Sequence, residues 1–298
     1  MSKSILITGG TGLVGSALIP KLKAKGYTVS ILSRSQSTTE KSYLWDYKRE
    51  YLDPLAFEGV ETIVHLAGAG VAEKKWSAER KDEIYNSRTK TSLLLFNELQ
   101  KREHQVKTFI AASAIGIYGS DTGNQIVKED APKGNDFLAH VTDAWETATR
   151  RIETLGIRLA RLRIGVVLSN KGGALKELLK PPVVAPLGKG NQYMSWIHID
   201  DLCNMIIYAI ENPAISGPFN AVGPKAQTNK ELTKIAAKAF KKPFLPIPVP
   251  SKVLKVLLGE MSSIVLGGSR VSSQKIQEAG FQFSFSKLPE ALEDLKNP

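Results

Sequence analysis

The chain has 298 residues, 42% of them hydrophobic and 23% charged, which is long and apolar enough for a substantial buried core and ordinary for a folded soluble protein. Forty basic residues against 29 acidic ones give a net charge of +11, but the excess is spread over short runs such as Lys74–Lys75 and Lys241–Lys242. Without clustered arginines interleaved with aromatics, this pattern argues against a nucleic-acid partner and suits phosphorylated small ligands. A single cysteine, Cys203, excludes an internal disulfide and a thiolate metal cluster, and the four histidines are scattered, so no dedicated metal site is expected.

The N-terminus, MSKSILITGG, passes directly into a strand and a glycine turn rather than an export leader. No apolar run is long enough to span a bilayer, so a cytoplasmic protein without a membrane partner is expected. Ser4–Thr8 reads as a strand, and Leu13–Lys25 as a helix kinked at Pro20 and ended by Gly26. Strands follow at Thr28–Leu32 and Thr62–Leu66, then a long helix at Ala78–Lys101. Thr108–Ser113 is a strand, Val141–Leu155 a helix, and Arg158–Arg163 a strand. This alternation predicts an α/β Rossmann architecture: a doubly wound parallel sheet with helices on both faces. Beyond about Val166 glycine and proline become frequent. Cys203 lies in an apolar helical stretch and reads as a core thiol. The expected division is residues 1–165 for dinucleotide binding and 166–298 mainly for a smaller substrate-side subdomain, with later segments returning to the sheet.

Gly9, Gly10, Gly12 and Gly15 form G-G-x-G-x-x-G between the first strand and the first helix. Glycine lets the backbone approach a pyrophosphate closely, and the helix N-terminus offers it unpaired N–H groups. Either Gly12→Val or Gly15→Val is expected to abolish dinucleotide binding in a chain still folded enough to test. The second strand ends Ser33-Arg34-Ser35, with no acid to hold a ribose 2′-hydroxyl. Arg34 can instead meet a 2′-phosphate, which points to NADP(H) rather than NAD(H).

With these residues in view, the chain resembles the short-chain dehydrogenase/reductase superfamily on its sugar-nucleotide-epimerase-like side. His65-Leu66-Ala67-Gly68 is similar to the motif lining the adenosine and ribose side of the cofactor. Ser113–Gly119 is similar to the segment bearing the superfamily's catalytic serine, and Ser195–Asp201 to the stretch that opens the substrate-side helix. Lys75-Trp76-Ser77, Asn86-Ser87-Arg88, Phe137-Leu138-Ala139, Trp145-Glu146, Arg163–Leu168, Gly172–Leu175, Leu257–Met261 and Ala279–Phe281 resemble the atypical "epimerase family protein" subgroup. Some members of that subgroup carry cell-division-inhibitor labels. The resemblance and the glycine turn together assign cofactor contacts to Gly9, Thr11, Gly12, Leu13, Val14, Gly15, Ser33, Arg34, Leu66, Ala67, Gly68, Arg88 and Arg163.

The superfamily's proton relay is missing. It needs tyrosine and lysine four residues apart on one helix face, so that the lysine lowers the tyrosine pKa. None of the eight tyrosines has lysine four residues later, and the expected positions hold Leu138 and Thr142. Arg88 takes the place of the assisting asparagine, where it can clamp a phosphate or carboxylate. Ser113, Tyr118 and Arg88 are the remaining catalytic candidates, and Trp76 and Trp196 are candidates for a pocket wall. His198 reads as a structural histidine. The expected activity is an NADP(H)-dependent oxidoreductase acting on a small, possibly anionic molecule. The alternatives are an NADP(H)-binding sensor without chemistry and a sugar-nucleotide epimerase. Neither the substrate nor the choice between monomer and homodimer is legible.

Overall fold

In a computed structural model describing residues 3–296, the apolar run Ser4–Thr8 forms β1, buried on both faces. Ile5 and Ile7 join one core layer and Leu6 the other, the alternation expected of a central parallel strand. The glycine turn leads into α1 (Leu13–Ala24), which runs without a break past Pro20 and buries Leu18, Ile19 and Leu22. β2 (Thr28–Ser33) returns parallel to β1. β3 (Lys41–Asp46) and β4 (Tyr51–Leu52) extend this edge, β4 antiparallel. Sequence patterning missed both, because in KSYLWD only Trp45 is buried.

β5 (Val60–His65) pairs with the other side of β1 and leads to α2 (Ala78–Lys101), whose bounds match expectation. β6 (Thr108–Ala114) follows, then β7 (Asp121–Val127) outside the main sheet. α3 spans Phe137–Arg150, beginning four residues before the expected Val141. The Asp136 carboxylate caps it by accepting the Ala139 N–H at 3.0 Å, and Arg151–Leu155 continues as a 3-10 turn.

β8 (Arg158–Ile164) completes the N-terminal alternation, and the short strands β9 (Val166–Leu168), β10 (Tyr193–Met194) and β11 (Trp196–His198) follow. After α4 (Ala174–Leu179) and α5 (Ile199–Glu211), β12 (Gly217–Ala221) returns to pair with β8. The sheet order is β12-β8-β6-β5-β1-β2-β3-β4, so strand order reverses where β1 meets β5. That reversal opens a crevice beyond the carboxyl ends of the strands, the Rossmann location for a dinucleotide. α1 packs with α5 and α2 with α3, and the two core layers lie on opposite faces of the sheet. Cys203 is wholly buried in α5, where burial pushes its thiol up to about 12 and keeps it unreactive. Among the described residues, no helix is long and apolar enough to cross a membrane.

Candidate functional site

The glycine turn sits at the crevice. Gly9 has φ +71°, and a Cβ there would lie 2.9 Å from the Leu66 carbonyl carbon, so the β1 and β5 ends meet across it. A Cβ on Gly15 would fall 2.6 Å from the Gly10 Cα, inside the turn's own backbone. The turn's own backbone leaves no room for a side chain at Gly15, which counts against the expectation that Gly15→Val stays folded. Gly12 differs: its Cβ would meet just the Gly9 carbonyl oxygen, at 3.3 Å. Packing does not demand glycine there. The cradle left open fits a pyrophosphate, and Gly12 begins α1 with no side-chain cap on the first-turn amides. Thr11 is exposed and Leu13 and Val14 are half-buried beside it.

The facing Leu66–Gly68 segment is fixed by a buried chain of hydrogen bonds. The Thr8 hydroxyl accepts the N–H groups of Leu66 and Ala67, each at 3.1 Å, which turns its own proton toward His65 Nδ1 at 2.7 Å. Burial lowers the His65 pKa to about 3, so the ring is neutral and carries its proton on Nε2, toward Ser92 Oγ at 3.1 Å. Ser92 in turn donates to the Arg88 carbonyl at 2.7 Å. His65 is thus a structural hub rather than a base, a role that sequence reasoning did not assign.

β2 ends one strand away. Thr8 is in register with Leu32, so Ser33 and Arg34 leave the sheet beside Gly9. Arg34 is exposed and makes no hydrogen bond or ion pair among the described residues. The Ser33 hydroxyl receives the Ser35 N–H at 3.4 Å.

Ser113, Tyr118 and Arg163 come together, but around a carboxylate that sequence reasoning gave no role. Ser113 and Arg163 are register partners on β6 and β8. Glu146 projects from α3 to receive the Ser113 hydroxyl at 2.7 Å and a two-pronged fork from Arg163, Nε at 2.8 Å and Nη2 at 3.0 Å. Arg163 Nη1 also donates to the Tyr118 hydroxyl at 2.9 Å and the Glu129 carbonyl at 2.8 Å. The Tyr118 hydroxyl in turn donates to Asn220 Oδ1 at 2.6 Å. Burial alone would raise the Glu146 carboxyl, but Arg163, Ser113 and Arg161 together hold it below its ordinary value. Burial raises Tyr118 more than Arg163 lowers it, so the phenol stays protonated. Both hydroxyl protons are committed internally, and Arg163 spends four of its five donors within the network. The one advance signal was the Trp145-Glu146 pair, a glutamate on a helix face that otherwise buries alanine, valine, threonine and tryptophan.

Across the crevice, α2 and α3 bring Arg88 against Trp145, the guanidinium carbon 5.2 Å from the ring centroid. Leu138 and Thr142 flank Gly116, and the Thr142 hydroxyl donates to the Leu138 carbonyl at 2.7 Å, so no ionisable group stands at either relay position. Trp76 is half-buried, donates to the Val71 carbonyl at 2.8 Å, and packs edge-on against Phe137 at 5.0 Å. Trp196 is instead completely buried in the core and lines no open surface. His198 accepts the Asp200 N–H on Nδ1 and lies 3.9 Å from the Phe285 ring. Asp200 and Asp294 lie close enough to suggest a metal group. However, a neutral ring that accepts on Nδ1 carries its proton on Nε2, which faces Asp294 and so cannot ligate.

Residues 5–223 match the NAD dependent epimerase/dehydratase family. The chain belongs to that family. Residues 249–295 match a second family, the domain of unknown function DUF1731. An epimerase family protein of Staphylococcus aureus strain MRSA252 is 35% identical, covering 98% of this chain and 99% of its own. The human epimerase family protein SDR39U1 (isoform 2), solved with NADPH, is 28% identical with a TM-score of 0.87, covering 99% of this chain and all of its own. A nucleoside-diphosphate sugar epimerase from Corynebacterium glutamicum is 31% identical with a TM-score of 0.80, over 99% of this chain and 58% of that one. The family and fold are those of the atypical short-chain dehydrogenase/reductases expected from the motifs, with an NAD(P)-binding Rossmann fold.

Proposed function

We propose that this protein is an NADP(H)-dependent oxidoreductase whose dinucleotide lies across the β1 and β5 ends and whose hydride site, past β5, works without the superfamily's Ser-Tyr-Lys relay. The observation that carries the cofactor choice is Arg34, exposed at the β2 terminus with neither a partner among the described residues nor an acid beside it. The amides opening α1, with the open space at Gly12, would hold the pyrophosphate. Arg34 and Ser33 would hold the 2′-phosphate, and Leu66–Gly68 would lie along the ribose side. Bound NADP(H) supplies or accepts the hydride. The NADPH in the human relative's structure supports the same choice.

Arg34→Ala removes the partner of a charge-assisted hydrogen bond. It should weaken NADPH binding by about 10–100-fold while NADH affinity changes less than about twofold. Fluorescence titration of both nucleotides checks this, and equal losses for the two would refute the role given to Arg34.

The committed hydroxyls of Ser113 and Tyr118 favour a second reading, an NADP(H)-binding sensor without turnover. A wild-type chain that binds NADPH yet oxidises it with no carbonyl compound, including carboxylate- and phosphate-bearing ones, would favour the sensor.

A further inference from the structure

Arg88 has the donor geometry of an anion clamp. Its Nη1 gives both protons to the chain, to the Ala69 carbonyl at 2.9 Å and the Ile84 carbonyl at 3.0 Å. Its Nε and Nη2 edge has no acceptor among the described residues, and no carboxylate pairs with it. Arg80, on the same helix, shows the contrast: it is paired with Glu73 and Glu83. Burial lowers the Arg88 pKa to about 10, with Arg80 adding repulsion, which leaves the group charged at neutral pH. The guanidinium lies against Gly68, where a Cβ would sit 3.1 Å from Cζ and 3.3 Å from Nη2. The Trp145 ring that supports it has a buried indole N–H, also without an acceptor.

We propose that Arg88 binds an oxyanion, a carboxylate or phosphate carried by the substrate, through its Nε and Nη2 edge at the β5 end of the crevice. This rests on the hydride-site reading and names the substrate class for it. A charged guanidinium edge with no acceptor among the described residues, at the mouth of the crevice, calls for an acceptor-rich partner, and its geometry matches two oxygens of one anion. The cofactor's own phosphates are accounted for elsewhere, at the α1 amides and at Arg34 beside β2. Arg88 stands on the opposite side of β1, against the segment that follows β5.

The test is calorimetric titration of inorganic phosphate and of malonate into the full chain, with and without saturating NADPH. Binding of at least one anion to the wild type is expected. Arg88→Met should weaken it by about tenfold or more, and Arg88→Lys, which keeps the charge but loses the fork, by an intermediate factor. Gly68→Ala, which crowds the guanidinium, should weaken anion binding as well, and it serves if Arg88→Met fails to fold by circular dichroism. Arg88 was also among the expected cofactor contacts, so NADPH affinity is measured alongside, and in Arg88→Met it should fall by a smaller factor than anion affinity. The proposal is overturned if neither anion binds, or if the variants bind anions as well as the wild type. It is also overturned if Arg88→Met loses NADPH affinity as strongly as anion affinity, because the oxyanion would then be the cofactor's. A wild type that binds anions through Arg88 but never NADPH would sink the dinucleotide reading and leave the anion site standing.

Discussion

Glu146→Ala should destabilise the fold by about 3–5 kcal/mol, the usual loss when one partner of a buried ion pair is removed. Glu146 is 2% exposed and Arg163 6% exposed, so water cannot replace the lost carboxylate. The substitution would leave the Arg163 fork and the Ser113 hydroxyl without their acceptor, with Arg161 nearby, whose Nη1 is 3.6 Å from the carboxylate in the wild type. Glu146→Gln keeps the shape and one acceptor oxygen, so it should lose less. The pH dependence has a fixed sign. The folded carboxyl has a depressed pKa, so its contribution is present above the unfolded value and is lost as pH falls through the folded value. Urea unfolding followed by circular dichroism at neutral and acid pH reads both effects. A loss below about 1 kcal/mol for Glu146→Ala would mean that the network does not hold the fold together.

The second large effect separates two glycines of one motif. Gly12→Val should still fold and lose dinucleotide binding by about 100-fold or more, since its Cβ would meet just the Gly9 carbonyl oxygen and its side chain would enter the space proposed for the pyrophosphate. Gly15→Val should instead lose the native fold or much of its stability, because its Cβ collides with the Gly10 backbone. Calorimetric binding paired with thermal unfolding distinguishes the two. Normal NADPH binding by Gly12→Val would remove the phosphate-turn assignment, whatever Gly15→Val does.

The parallel sheet was legible because its strands are buried on both faces and read as continuous apolar runs, as in SILIT. The edge strands were not legible, because half-exposed alternation in KSYLWD competes with loop patterning. The α3 start was misread because Asp136 caps it through a local hydrogen bond that hydrophobic periodicity does not register. The placement of the glycine turn between β1 and α1, and of the exposed Arg34 at the end of β2, is local in sequence and could be read directly. The Glu146 network could not, because its partners lie 33 residues away at Ser113 and 17 at Arg163 and meet just when β6, β8 and α3 pack. Trp196 shows the limit of residue type as a guide: a tryptophan suited to a pocket wall serves as core, at 0% exposure.

The most direct measurement of the cofactor claim is a pair of calorimetric titrations of the wild-type chain, one with NADPH and one with NADH, at the same ionic strength. Arg34 at the β2 terminus and the absence of an acid there predict NADPH binding at least about tenfold tighter, with the gap narrowing as salt screens the exposed arginine. NADH binding as tightly as NADPH, or more tightly, would contradict it.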